Sequence, residues 1–234
     1  MIKAIRTKVS TYAIALLISC GFTVPSMAGS SDFSGIYGAV WASAGGAQID
    51  GSHTDRDGNV SQGQVGGVFP LGGYEIGFNL PLGDVLFLGA GHSVTSGGTA
   101  EIARGVGDAK GGSNSEGESA GESSFNVEAT DLKSVYLMPS ISIYDNSAVY
   151  VKVGRSIADL TATGGAIGAP NNLQGDLLGV GTIAMTPSGL FIKTEGSVTR
   201  FDDIFITGVA NSASAKVEGT PDVVRGTVSI GFKF

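Results

Sequence analysis

Cysteine and tryptophan each occur once among 234 residues, histidine occurs twice, and lysine plus arginine supply 14 positions against 21 aspartates and glutamates. One cysteine excludes an internal disulfide framework. Two histidines leave little material for a nucleophile, base and orienting acid. A formal net charge of -7 has the wrong sign for the footprint of a nucleic-acid binder, so no nucleic acid is expected among the partners. Past the N-terminus there is no apolar run of roughly 18 residues, so no membrane-spanning helix is expected. Glycine is abundant, with 38 positions against a usual share of about 7%, but no Gly-X-Y period accompanies it and collagen is excluded.

The first 28 residues read as a cleavable signal peptide. Lys3, Arg6 and Lys8 form a positive start, Tyr12 to Val24 is mostly apolar, and Ser26-Met27-Ala28 places small residues where signal peptidase inspects them. The mature domain then covers 29–234 and is exported by the general secretory pathway. A competing reading takes Leu17-Ile18-Ser19-Cys20 as a lipobox with an acylated Cys20. The apolar run continues through Phe22 and Val24 to Ala28, which favours cleavage there.

What remains alternates with period two. Val224, Gly226, Val228, Ile230, Phe232 and Phe234 fall on one face of an extended chain, opposite Arg225, Thr227, Ser229, Gly231 and Lys233. Val135, Leu137, Pro139, Ile141 and Ile143 stand against Ser134, Tyr136, Met138, Ser140 and Ser142, with Pro139 expected at an edge or bulge. Val149, Val151 and Val153 stand against Tyr150, Lys152 and Gly154.

Eight such segments are predicted, at 33–44, 72–80, 85–95, 131–144, 147–160, 174–186, 190–201 and 223–234. Short connections rich in turn residues (Pro81 to Asp84, Asp145-Asn146, Pro187 to Gly189) alternate strictly with long ones at 45–71, 96–130, 161–173 and 202–222. Eight antiparallel strands with short turns at one rim and long loops at the other define an up-and-down transmembrane β-barrel of the outer-membrane kind, with periplasmic turns and extracellular loops. A soluble lipocalin-like barrel or sandwich would share the alternation. Three features favour the membrane: a polar face of small Gly, Ser and Thr, acids concentrated in the long connections, and an aromatic residue at the chain's last position. The acids include Asp50, Asp55 and Asp57 in the first connection, Glu101, Asp108, Glu116, Glu118, Glu122 and Glu128 in the second, and Asp202, Asp203, Glu218 and Asp222 in the fourth.

Ser147-Ala148-Val149-Tyr150-Val151-Lys152-Val153-Gly154, Met185-Thr186-Pro187 followed by Phe191-Ile192-Lys193-Thr194-Glu195, and the closing Val228-Ser229-Ile230-Gly231-Phe232-Lys233-Phe234 resemble the last strands of OmpA-like and opacity-type eight-stranded outer-membrane barrels. Gly73 to Phe78 is a looser match to a second strand, and Gly196 stands where these barrels often carry an aromatic. The resemblance implies a cell outer-membrane location in a Gram-negative envelope and a porin-like monomeric barrel among lipids and lipopolysaccharide. It also implies that Val228, Ile230, Phe232 and Phe234 form the signal read by the barrel-assembly machinery.

If Phe234 and Val228 face lipid, Arg225 and Lys233 face the lumen. The resemblance puts Lys152, Lys193 and Glu195 there too, and Glu75 joins them if Tyr74, Ile76 and Phe78 face lipid. An eight-stranded barrel is just wide enough for side chains to fill it, so these charges are expected to pair as structural glue around Tyr136, Met138 and Tyr150.

The search for chemistry is mostly negative. His53 falls in the first connection and His92 beside Ser93, whose side chain must point to the opposite face. Asp55-Arg56-Asp57-Gly58-Asn59 begins like a calcium loop, but Val60 and Gly66 replace the required Gly and Glu. No catalytic, metal or cofactor site is expected. The leading expectation is a structural or surface-interaction barrel whose loops meet a host, phage or surface ligand. A narrow, weakly cation-selective channel and a lipid-modifying envelope enzyme are the alternatives. Replacing Phe234 with Asp puts a charge at the interface and removes the terminal aromatic; the outer-membrane yield in cells is expected to fall, and a yield equal to wild type refutes the assembly role.

Overall fold

The computed structural model describes residues 29–54, 60–97, 100–107, 123–144, 146–163, 172–207 and 216–234. A short 3-10 segment, Ser30–Phe33, precedes ten strands: β1 (Gly35–Thr54), β2 (Val60–Pro81), β3 (Leu86–Gly97), β4 (Ala100–Gly107), β5 (Ser123–Tyr144), β6 (Ser147–Thr163), β7 (Asn172–Met185), β8 (Leu190–Phe201), β9 (Ile204–Thr207) and β10 (Lys216–Lys233). All but β4 and β9 form a closed antiparallel barrel of eight strands in chain order. The last strand returns to the first over a ladder that runs from Tyr37↔Lys233 to Thr54↔Lys216. The two short strands are attachments at the loop end, β4 on β5 and β9 on β10. Among the described residues no helix is long and apolar enough to cross a membrane.

The strands overrun their predicted limits at the loop end. The first connection, expected to span 45–71, is largely ladder, with β1 and β2 paired from Gly35↔Asn79 out to Thr54↔Val60. Likewise β4 and the start of β5 occupy parts of 96–130, and β10 begins within 202–222. Backbone hydrogen bonds extend a hairpin without an apolar face once it stands in water, and stretches such as Gly45-Gly46-Ala47-Gln48 carry no period-two hydrophobic signal. Pro139 is neither at an edge nor at a shift in register. It sits inside β5 opposite Leu88 of β3, and the β5–β6 ladder omits Met138 and Pro139 while keeping its register. The irregularities lie elsewhere on β5, between Thr130 and Lys133 and between Ser142 and Tyr144, and Asp131 in the first has φ 50°.

Which face is inside follows from burial. Glu75, Lys152, Lys193, Glu195 and Arg225 are buried in the lumen, whereas Val40, Tyr74, Ile76, Leu137, Val180, Ile192, Val228 and Phe232 stand exposed outside. From Val224 to Phe234 the outward positions of β10 span roughly 25 Å at a tilt of about 40°, the height of a bilayer's apolar band. The lumen is stratified rather than uniformly polar. At the turn end Phe33, Phe87, Ile183, Met185 and Phe191 pack around the fully buried Met138, and at the loop end Phe69, Leu71, Leu173, Phe201 and Val223 are buried.

The turn end carries its own stopper. Ser30–Phe33 folds under the mouth, where the Ser30 amide donates to Asp84 O at 2.7 Å and its hydroxyl donates to Gly83 O. Phe33 stacks on Phe87 with centroids 4.9 Å apart, and Asn79 Nδ2 donates to the Phe33 carbonyl at 3.0 Å. The chain then enters β1 through Gly35, whose φ of 118° is a conformation L side chains rarely adopt.

Large lumenal rings lie across glycines of neighbouring strands: Trp41 over Gly73, Tyr37 over Gly77, Tyr136 over Gly91 and Tyr150 over Gly181. A Cβ at any of these positions would overlap the ring. At the outward Gly196 and Gly226 it would meet nothing within 4 Å. Gly77→Ala is therefore expected to destabilise the refolded barrel by about 1–3 kcal/mol in urea titrations, with Gly196→Ala within ~0.5 kcal/mol of wild type. Equal midpoints for the two variants would refute this account of the packing.

Candidate functional site

Between the two apolar layers lies a belt of charge. Glu75 on β2 reaches across the lumen to form an ion pair with Lys193 on β8, and accepts a hydrogen bond from the Tyr136 hydroxyl at 2.8 Å. Glu195, two residues along β8 from Lys193, pairs instead with Lys152 on β6 at 2.6 Å and accepts from the Tyr150 hydroxyl at 3.1 Å. The strand between them, β7, contributes Gly179 opposite Lys152 and Gly181 opposite Glu195, so no side chain separates the partners. Lys152 Nζ also lies 4.2 Å from the centre of the Tyr136 ring, and the Tyr37 and Tyr136 hydroxyls are 3.1 Å apart. The two ion pairs are thus joined through tyrosines into one network with both carboxylates doubly engaged.

Two residues of the expected lumenal set stand outside these pairs. Lys233 sits at the turn-end rim, half-buried, and donates to the Asp32 carbonyl at 2.7 Å, because by its position on β10 the side chain has passed below the apolar layer. Arg225 is buried on the loop side of the belt and makes no ion pair among the described residues; its guanidinium lies 5.8 Å from the centre of the Trp41 ring. Tyr37 and Trp41 were not legible as members of the lumen, although both alternate with the outward Ile36 and Val40.

The terminal residues expected to guide assembly, Val228, Ile230, Phe232 and Phe234, all face outward, and the last two rings meet edge to face at 5.5 Å. His92 faces outward between Ile76 of β2 and Val135 of β5, while Ser93 points inward opposite Glu75 and Ser134. The two are on opposite sides of the wall and share no site. The calcium-like segment 55–59, the predicted signal segment 1–28 with Cys20, and 108–122 of the acidic second connection lie outside the described residues. Among the described residues no group of three or more His, Cys, Asp or Glu could hold a metal ion.

At the loop end the outer wall changes character. Arg155 pairs with Asp176 at 2.9 Å, and Arg200 grips Asp222 through Nε at 2.8 Å and a terminal nitrogen at 2.5 Å. These exposed pairs stand on the outer face of β6, β7, β8 and β10.

No protein-family model matches the chain, and none of the curated proteins matches it in sequence. Among solved structures it is similar to the attachment invasion locus protein Ail of Yersinia pestis, at 12% identity over 83% of this chain and 99% of that one, with a TM-score of 0.37. It is also similar to the outer-membrane protein OprG of Pseudomonas aeruginosa (12% identity, 86% and 97% covered, TM-score 0.46) and to the outer-membrane protease OmpT of Escherichia coli (11%, 86% and 97%, TM-score 0.38). Likeness at this level carries no activity, ligand or partner over to the chain.

Removing one partner of a buried ion pair leaves the other uncompensated, at about 3–5 kcal/mol. Glu195→Gln, which strands Lys152, is expected to lower the urea midpoint sharply, and Lys152→Met with Glu195→Leu together should cost less than the sum of the single changes. Strictly additive effects would show that the contact contributes no coupling.

Proposed function

We propose that the chain is an outer-membrane protein whose work is done by its wall and its loop-end rim, stabilising the envelope and meeting a surface partner, and not by transport through its lumen. The observation that carries this reading is an inverted distribution of polarity. Val40, Ile76, Val135, Val180 and Val228 are between 53% and 65% exposed, while Glu75 and Lys193 are 4% and 2% exposed. Water would not tolerate so continuous an apolar exterior on a monomer, whereas a bilayer requires it.

The lumen argues against bulk conduction. A belt of paired charge is sandwiched between two layers of apolar side chains, and the turn-end mouth is closed by Phe33. The rim supports the partners. The exposed ion pairs of Arg155, Asp176, Arg200 and Asp222 stand where lipid headgroups and lipopolysaccharide begin, and the acidic connections beyond them would meet anionic lipopolysaccharide through bridging divalent cations. Finer kinship with OmpA-like and opacity-type barrels rests on the strand motifs from Ser147 to Gly154 and from Val228 to Phe234, and export by the general secretory pathway rests on the N-terminal charge and apolar run.

The test is planar-bilayer recording of the refolded mature protein, with a heat-modifiable gel shift as proof of folding. Only small, intermittent currents are expected; steady conductance on the nanosiemens scale would move the protein into the channel class. Deleting 108–122 should leave the gel shift intact and abolish surface adhesion if that loop is the recognition element.

A further inference from the structure

Lys133 stands on the outer wall without an acid to meet it among the described residues. It is exposed, shares the outward face of β5 with Val135 and Leu137, and enters no ion pair there. Across the ladder it lies opposite Ile157 of β6 and diagonal to Arg155, which is opposite Val135. Diagonal neighbours of this kind are about 7–8 Å apart, close enough for two long side chains to converge on one group. Arg155 is itself only partly engaged. One terminal nitrogen donates to Asp176 Oδ1 at 2.9 Å, and the other lies 3.8 Å from Asp202 Oδ2, beyond hydrogen-bond range. A guanidinium carries five N–H donors and an ammonium three, so most of the protons of this pair are unspent on the protein.

Their depth decides what meets them. A ladder row in a barrel tilted by about 40° drops roughly 3 Å per strand as it passes from β10 toward β5. The row through Val224 runs over Val198, Leu178 and Val153 to Leu137. Lys133 stands two outward positions loopward of Leu137, and Arg155 one loopward of Val153. Both therefore come within about 5 Å of the level of Val224, the last apolar outward position of β10. At the edge of hydrocarbon an ammonium without a counter-charge is costly, and a headgroup phosphate is the anion found at that level.

The neighbouring strands show which lipid fits. Arg155, Asp176, Arg200 and Asp222 are consecutive partners across β6, β7, β8 and β10, so the wall carries positive and negative charge in alternation. That row sums to zero and has little pull on a free anion. It does match a lipopolysaccharide layer, in which phosphates alternate with the divalent cations that bridge them.

We propose that Lys133 and Arg155 hold one phosphate group of lipopolysaccharide directly, in place of a bridging cation, with Asp176, Arg200 and Asp222 fitted into the lattice around it. This rests on the outer-membrane reading above, which puts the loop end in the outer leaflet. It differs from contact through the acidic connections, because lysine and arginine bind phosphate without a metal.

The test gives the refolded mature protein, in detergent micelles with excess chelator, rough lipopolysaccharide, its dephosphorylated form or phosphatidylglycerol, and reads binding from mobility in native gels. Wild type is expected to bind intact lipopolysaccharide about tenfold tighter than either other lipid. Lys133→Gln, which breaks no ion pair among the described residues, should weaken that binding about tenfold. Lys133→Gln with Arg155→Gln should weaken it further, and Lys233→Gln at the opposite rim should leave it unchanged. Binding that chelator abolishes, that the dephosphorylated lipid or phosphatidylglycerol matches, or that Lys133→Gln leaves unchanged would overturn the site, as would an equal loss in Lys233→Gln. Insertion of wild type into vesicles free of lipopolysaccharide, read by the heat-modifiable band, separates the two readings. A barrel that inserts but shows none of these preferences loses this site alone, and one that fails to insert loses the outer-membrane reading with it.

Discussion

In hydrocarbon a backbone amide has no solvent to turn to, and every other feature of this molecule follows from that constraint. Each strand must be paired on both sides, so the sheet must close, and it closes by returning β10 to β1 along the full length of both. Closure at eight strands then dictates a narrow lumen. The narrow lumen in turn decides which residues can share it, because whatever faces inward must fit and must find partners among its neighbours.

The chain meets that demand with two devices. Rings are laid over glycines, so that the wall gives way locally where a large side chain enters, and Gly73, Gly77, Gly91 and Gly181 are explained by this rather than by flexibility. The paired charges are then confined to one level, with Tyr136 and Tyr150 supplying the second hydrogen bond that each carboxylate needs once it is removed from water. Apolar layers on either side exclude solvent from the belt and strengthen the attraction inside it. A cavity-lining apolar residue and a buried ion pair are here parts of one arrangement.

How much of this was legible depended on whether a residue was seen by lipid. Outward residues such as Val228, Ile230 and Phe232 carry a strict period of two because hydrocarbon selects one chemistry, so the barrel segments and their faces could be read directly. The inward face obeys packing instead, and packing is set by strands distant in sequence. Nothing local to Glu75 says that its partner is Lys193, or that Lys152 and Glu195 meet over two glycines of β7. The extensions of β1 and β2 escape a sequence reading for a third reason: Phe69 and Leu71 are buried but alternate with the equally apolar, outward Val68 and Pro70, and farther out a Gly, Ser and Gln ladder leaves no periodic trace.

The two ends of the described chain are fastened to each other. The Phe234 amide donates to Ile36 O at 2.9 Å, Lys233 reaches the Asp32 carbonyl, and the stopper to which Asp32 belongs packs against β2, β3 and the turn between them. The first barrel strand, β1, pairs with β2 on one side and therefore receives its second partner only when β10 has arrived. Until then both sheet edges stay open and the charged belt lacks its surrounding wall, so no partial barrel has a stable form in either water or lipid. Assembly is consequently an all-or-none event in chain length: a truncation that removes only β10 leaves a sheet with two edges, not a smaller barrel.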